Sequence, residues 1–200
     1  MGTITAPVSQ TTHSVSTIQA VQNHPQENHP GCCLWFTGLS GAGKSTVANV
    51  VVEQLIARGC KVELLDGDEI REHLSKGLTF SKEDRDINVR RIGWVAKVLA
   101  RNGVISITAA ISPYRSLRDE LRADITNFVE IHVATPFAVC EDRDVKGLYA
   151  KARAGEIPNF TGLDDPYEAP LNPEIRIETA GRTPEESAAE VLAWLDTNLF

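Results

Sequence analysis

The stretch Cys32-Cys33-Leu34-Trp35-Phe36-Thr37-Gly38-Leu39-Ser40-Gly41-Ala42-Gly43-Lys44-Ser45-Thr46 decides how this chain folds. Its opening residues, Cys32 to Thr37, form a short apolar run of the kind a buried strand needs. Gly38 to Ser45 then match G-x-x-x-x-G-K-[ST], and Val47, Val50, Val51 and Leu55 follow on a plausible inner face of a helix. Strand, glycine loop and helix in that order are the context that makes the motif meaningful. The glycines let successive backbone N–H groups turn inward around phosphate oxygens. Lys44 is placed to reach the β- and γ-phosphates of a nucleotide, and the Ser45 hydroxyl to hold Mg²⁺. The helix N-terminus adds its positive dipole end. Gly38, Leu39, Ser40, Gly41, Ala42, Gly43, Lys44, Ser45 and Thr46 are therefore the expected ATP-binding loop.

Outward from this loop, strand-like and helix-like segments alternate. Strand signals lie at 32–37, 61–65, 104–109, 128–134 and 174–178, and helical patterns at 44–58, 81–101, 116–125, 136–143 and 184–199. Such alternation predicts parallel strands with crossover helices, a three-layer α/β domain over residues 31–200. Residues 144–173 break the rhythm. They are rich in Gly, Pro and charge and too long for an ordinary connection, which reads as a lid over a site. Residues 1–30 contain no Lys or Arg and show no apolar periodicity, so they read as a flexible N-terminal arm. The arm lacks the basic start and apolar block of a secretory signal and the arginines of a transit peptide. Its His13, His24 and His29 read as solvated rather than metal-binding.

The chain has 200 residues, 20 Lys and Arg against 27 Asp and Glu, and a net charge of −7. That balance disfavours broad nucleic-acid binding, which needs basic surface. No apolar stretch approaches the ~18 residues that would span a bilayer. The four cysteines, Cys32, Cys33, Cys60 and Cys140, form no CxxC pair and read as reduced thiols in a cytoplasmic protein.

Other residues narrow the chemistry. A guanine-specific N-K-x-D is absent, and Asp144-Val-Lys-Gly147 follows the fourth strand, the wrong place for a GTPase D-x-x-G. The third strand ends without the acid of an ATPase motor. Carboxylates follow the second strand instead, in Asp66-Gly67-Asp68-Glu69, where they would face the ligand crevice. Asp66 and Asp68 suit Mg²⁺ support and orientation of an acceptor hydroxyl, though such residues also cap helices. Ser81 followed by Asp84 reads as a helix N-terminus. Arg85 and Asn88, three residues apart, share a helix face and can address an anionic acceptor. Phe80 suits either core packing or an aromatic face against a base, and Arg90 and Arg91 read as surface decoration.

Taken together, GLSGAGKST (38–46), DGDEIR (66–71), FSKEDRDINVRR (80–91), ISPYR (111–115), DVKGLYAKAR (144–153) and FTGLDDPYEAPLNPE (160–174) resemble the adenylyl-sulfate kinase family. The resemblance covers roughly residue 31 to the C-terminus. It implies strand order 2-3-1-4-5, a homodimer, and transfer of the γ-phosphoryl of ATP, with Mg²⁺, to the ribose 3′-hydroxyl of adenosine 5′-phosphosulfate. At this length no fused sulfurylase domain is expected. On matching positions, Asp68 is the preferred catalytic carboxylate, with Asp66 toward the metal. Arg71, Arg85 and Asn88 match residues that hold the acceptor, Phe80 and Phe160 match aromatics that sandwich its adenine, and Ile111 and Ser112 line the same pocket. Ser112 also matches a serine assigned in the family as a phosphoenzyme intermediate, although direct in-line transfer needs no covalent step. Lys146 resembles the lid lysine that reaches the phosphates, and Arg153 is expected near the donor nucleotide. Two departures stand out: Ile87 occupies a position commonly acidic in the family, and the segment 127–129 before the fourth strand is shortened.

Overall fold

The structure, a computed structural model, describes residues 30–200. The expected arm, with His13, His24 and His29, falls outside the described residues apart from Pro30. The elements run β1 (Cys32–Thr37), α1 (Lys44–Ala57), β2 (Val62–Asp66), α2 (Gly67–His73), α3 (Lys82–Arg101), β3 (Ile105–Ala109), α4 (Arg115–Asp124), β4 (Phe128–Val133), α5 (Phe137–Arg143), α6 (Leu148–Arg153), β5 (Ile175–Ile177) and α7 (Pro184–Asn198). The sheet is parallel throughout, in the order β2-β3-β1-β4-β5. This is the α/β architecture expected from the alternation of segments, with the strand order that the family resemblance implies.

β1 is paired on both sides, with Leu34 opposite Ile107 of β3 and Val129 of β4. Its residues are all buried, which is why its sequence reads as an unbroken apolar run rather than an alternation. Alternation decides instead which layer each side chain joins. Cys32, Leu34 and Phe36 pack toward Val47, Val51 and Leu55 of α1 and Val191 and Leu195 of α7. Cys33 and Trp35 face Val89, Ile92 and Ala96 of α3 and Leu117 and Leu121 of α4. Each large apolar side chain so buried contributes about 1.5–3 kcal/mol relative to exposure. Cys32, Cys33 and Cys140 are buried thiols and Cys60 is half-buried. Burial pushes the Cys32 and Cys33 thiols up to about 12, so they behave as small hydrophobes.

Helix starts follow capping chemistry. Ser81 Oγ accepts from the Asp84 N–H at α3, as its spacing predicts, and Thr183 and Glu186 form a reciprocal capping box at α7 with Pro184 in the first turn. The sequence reading omits α2 and α6, of seven and six residues. α2 is started by Asp66, whose carboxylate accepts from the Asp68 N–H at 2.9 Å. At α6 the Asp144 carboxylate accepts from the N–H groups of Tyr149 and Ala150, both at 3.0 Å. The segment 144–173 is thus helical at its start and irregular only beyond it.

Candidate active site

Three strand ends open into one cavity of about 680 Å³. β1 leads into the glycine loop, β2 ends at Asp66, and β3 continues into Ala110–Pro113. This is the crevice beyond the carboxyl ends of a parallel sheet, where the strand order reverses around β1. In the loop, Gly41 and Gly43 take φ of 72° and 99°, and a Cβ on Gly41 would lie 2.8 Å from the Cys140 carbonyl oxygen. Only glycine fits that turn. Ser40, Gly41, Gly43, Lys44, Ser45 and Thr46 line the cavity, whereas Gly38, Leu39 and Ala42 support it from outside.

Lys44 is buried and its Nζ donates to the carbonyls of Gly38 at 3.0 Å and Leu39 at 2.8 Å. Burial pushes its ammonium down from 10.5 to about 8, with the charge of Lys146 acting in the same sense. Ser45 Oγ donates to Asp66 Oδ2 at 2.6 Å, so a hydroxyl from the loop and a carboxylate from β2 meet at one point. Asp68, exposed on the next turn, pairs with Lys146 from the segment 144–173. The structure therefore joins Lys44, Ser45, Asp66, Asp68 and Lys146 around a single opening.

The other wall holds Arg71, Phe80, Arg85, Asn88, Ile111 and Ser112. Phe80 is exposed at 52%, with the Arg71 guanidinium 4.5 Å from its ring centroid. Phe160 is buried, edge-on to Tyr149 with centroids 4.9 Å apart, and borders the same cavity. Asn88 Oδ1 and Ser112 Oγ are buried without a hydrogen-bond partner while lining the cavity. Buried polar atoms left without a partner beside a cavity call for an explanation, and a ligand or an ordered water reaching them would supply one.

Two placements differ from the sequence reading. The Arg85 fork, expected to be open to an anion, is occupied: it donates to Thr161 Oγ1, to Asp165 Oδ2 at 2.6 Å and to the Asn159 carbonyl. Asp165 also accepts from the Tyr114 hydroxyl at 2.8 Å. Arg153 is not brought to the cavity, because it points back along α6 to pair with Glu141. Arg143 and Arg182 line the cavity instead.

The sequence reading also misses the layer behind the loop. Thr135 and Thr179 both donate to the Ala42 carbonyl, at 2.9 and 2.8 Å, and Arg143 donates to Gly41 O and Thr179 Oγ1. Their only sequence signal is position, since each threonine closely follows the end of β4 or β5, at the ligand edge of the sheet.

Comparison with known proteins agrees with this arrangement. Residues 30–178 match the family model described as adenylylsulphate kinase. An adenylyl-sulfate kinase from Microcystis aeruginosa is 60% identical over 161 residues, which span 80% of this chain and 89% of that one. A probable bifunctional SAT/APS kinase 2 from Sorangium cellulosum is 60% identical over 166 residues, spanning 83% of this chain and 29% of that longer protein. The solved Mycobacterium tuberculosis APS kinase in complex with AMPPNP and APS superposes with a TM-score of 0.79 at 46% identity, over 84% of this chain and 99% of that one. A loop built for phosphates, carboxylates at the next strand end and these matches lead to one statement: the chain belongs to the adenylylsulphate kinase family.

Proposed function

We infer that the protein transfers the γ-phosphoryl group of ATP to the ribose 3′-hydroxyl of adenosine 5′-phosphosulfate, giving ADP and 3′-phosphoadenylyl sulfate. One observation carries this reading. The phosphate loop and a wall bearing an exposed aromatic ring, arginine and unpartnered polar atoms share one cavity, with Asp66 and Asp68 among its lining. Donor and acceptor in one crevice permit direct in-line transfer.

In this reading the loop N–H groups and Lys44 hold the donor phosphates. Mg²⁺ bound with ATP would supply positive charge to the phosphates. The Ser45 hydroxyl and Asp66 carboxylate, hard oxygen donors 2.6 Å apart, fit an ion that takes its remaining ligands from phosphate and water. Asp68 orients the acceptor hydroxyl and takes its proton, while Lys146 leaves Asp68 for the phosphates. Arg71, Asn88 and Ser112 address the acceptor, and Phe80 and Phe160 flank its base. Arg85 acts largely by anchoring 159–165, which keeps Phe160 at the cavity. The segment 144–173 serves as a lid that excludes water from the γ-phosphate. Arg143 and Arg182 take the donor-side position expected of Arg153. Ser112 Oγ has no hydrogen-bond partner, hence no base to activate it as a nucleophile, which favours direct transfer over a phosphoserine.

Among the described residues no helix is long and apolar enough to cross a membrane. Buried thiols at Cys32, Cys33 and Cys140 support a cytoplasmic setting, and the family resemblance supports a homodimer.

The low value for Lys44 gives a pH prediction. Bound phosphate favours the ammonium form, so affinity is full below about pH 8 and falls as pH rises through it, where binding must take up a proton. The MgATP Kd is expected to rise roughly tenfold between about pH 7 and pH 9, measured by calorimetry. A flat profile over that range contradicts the assignment of Lys44. The function itself is tested by phosphorus NMR of the product, which should carry a new phosphate on the ribose 3′-oxygen. A phosphate at any other atom rules the proposed reaction out.

A further inference from the structure

The wall of the acceptor side is not self-supporting. Ile111 and Ser112 leave β3 in a turn where Ser112 has φ of 46°, a left-handed conformation that a serine does not adopt cheaply. Two groups hold this turn from behind. Thr37, at the end of β1, donates its hydroxyl to the Ile111 carbonyl at 2.7 Å. Arg118, on α4, donates Nη1 to the Ser112 carbonyl at 2.6 Å.

Arg118 is among the largest fully buried side chains of the protein, and each nitrogen of its guanidinium is engaged. Nε donates to Glu130 Oε1 of β4 at 2.6 Å, and Nη2 donates to the Glu168 carbonyl at 2.6 Å. Glu168 lies where the segment 144–173 returns to the body, and its N–H donates to the Pro113 carbonyl at 2.9 Å. One planar cation therefore fixes the turn that lines the acceptor pocket and the returning arm of the lid, with Glu130 as its counter-charge. A buried arginine–glutamate pair is poorly explained by stability alone, since apolar residues of similar size commonly serve as well there. Its geometry has a better use.

We propose that Arg118 is a positioning residue for the acceptor. By fixing the Ser112 and Glu168 carbonyls from behind the wall, it holds the unpartnered Ser112 Oγ and the Ile111 side of the cavity in the arrangement that binds the nucleotide acceptor, without touching that acceptor. The phosphate loop is held by other groups, Thr135, Thr179 and Arg143, so the donor side does not depend on Arg118. The inference rests on the reaction proposed above.

The test compares Arg118→Met, the charge-neutral double variant Arg118→Met with Glu130→Gln, and Thr37→Val, with thermal unfolding and both Michaelis constants measured for each. Arg118→Met is expected to raise the KM for adenylyl sulfate about tenfold or more, with the KM for ATP within about twofold and kcat within about threefold of the parent. Glu130 keeps Arg122, 3.1 Å from its Oε2, when Arg118 is replaced, so adding Glu130→Gln relieves only the buried charge that Arg118 had neutralised and is expected to recover part of the melting temperature but not the acceptor KM. Thr37→Val, nearly isosteric, releases the same turn at Ile111 and is expected to raise the acceptor KM alone. It keeps the inference testable if both Arg118 variants fail to fold. An unchanged acceptor KM, a parallel rise in both constants, or recovery of the acceptor KM together with the melting temperature would overturn it. Absence of any adenylyl sulfate-dependent turnover in the parent protein would instead remove the proposed reaction, so the two failures are distinguishable.

Discussion

Asp68→Asn is expected to leave MgATP affinity within about threefold of the parent while slowing phosphoryl transfer by on the order of 10²–10⁴-fold. Asp68 is exposed and its carboxylate pairs with Lys146, so neither its burial nor its packing supports the fold. What it offers is a carboxylate two residues beyond the Ser45–Asp66 contact, in the first turn of the short helix that Asp66 caps. An amide there retains shape and can still accept a hydrogen bond, but it cannot take the proton of an attacking hydroxyl. The effect should therefore fall on the chemical step. Single-turnover measurements at saturating acceptor separate this from binding. Near-normal turnover by the variant would show that another group, with Asp66 the nearest candidate, receives the proton.

Lys44→Ala is expected to lower kcat by on the order of 10²–10³-fold, with a weaker loss of ATP binding. The reason lies in the surroundings of Lys44. Its ammonium is buried against the Gly38 and Leu39 carbonyls, and burial already disfavours its charge. A cation held at such cost gains most where negative charge develops in a dry site, on the transferring phosphoryl group. The loop backbone still binds phosphate after the substitution, which is why affinity falls less than rate. Equal losses in affinity and rate, measured by calorimetry and steady-state kinetics, would mean that Lys44 serves binding alone.

Much of this fold is legible in the sequence because the relevant signals are local. The unbroken apolar run 32–37 announces a strand paired on both sides, and the glycine loop after it follows from backbone geometry that few other residues permit. The cap at Ser81 is equally local. α2 is not legible by period because Asp66, which caps it, also reads as part of a polar turn, and α6 because its capping acceptor, Asp144, lies outside the helix, before Gly147. Asp66 does both jobs: it caps α2 through Oδ1 and meets Ser45 through Oδ2.

The site is legible only in part, and for a different reason. Spacing puts Arg85 and Asn88 on one helix face, but it does not reveal that Arg85 is engaged by Thr161 and Asp165, 76 and 80 residues further on. Long-range partners of this kind leave no local pattern. The same holds for Arg153, whose charged segment points toward the donor in sequence but whose helix turns it to Glu141, leaving the cavity to Arg143 and Arg182. Arg118, on a strongly charged helix, looks like any surface arginine until the structure buries it against Glu130.

The most direct test of the proposed reaction is acceptor-dependent ADP release from MgATP, with adenylyl sulfate, AMP, gluconate and shikimate offered separately. Stimulation by adenylyl sulfate alone is the predicted result. Stimulation by one of the other acceptors in its place, or release indifferent to all four, would contradict it.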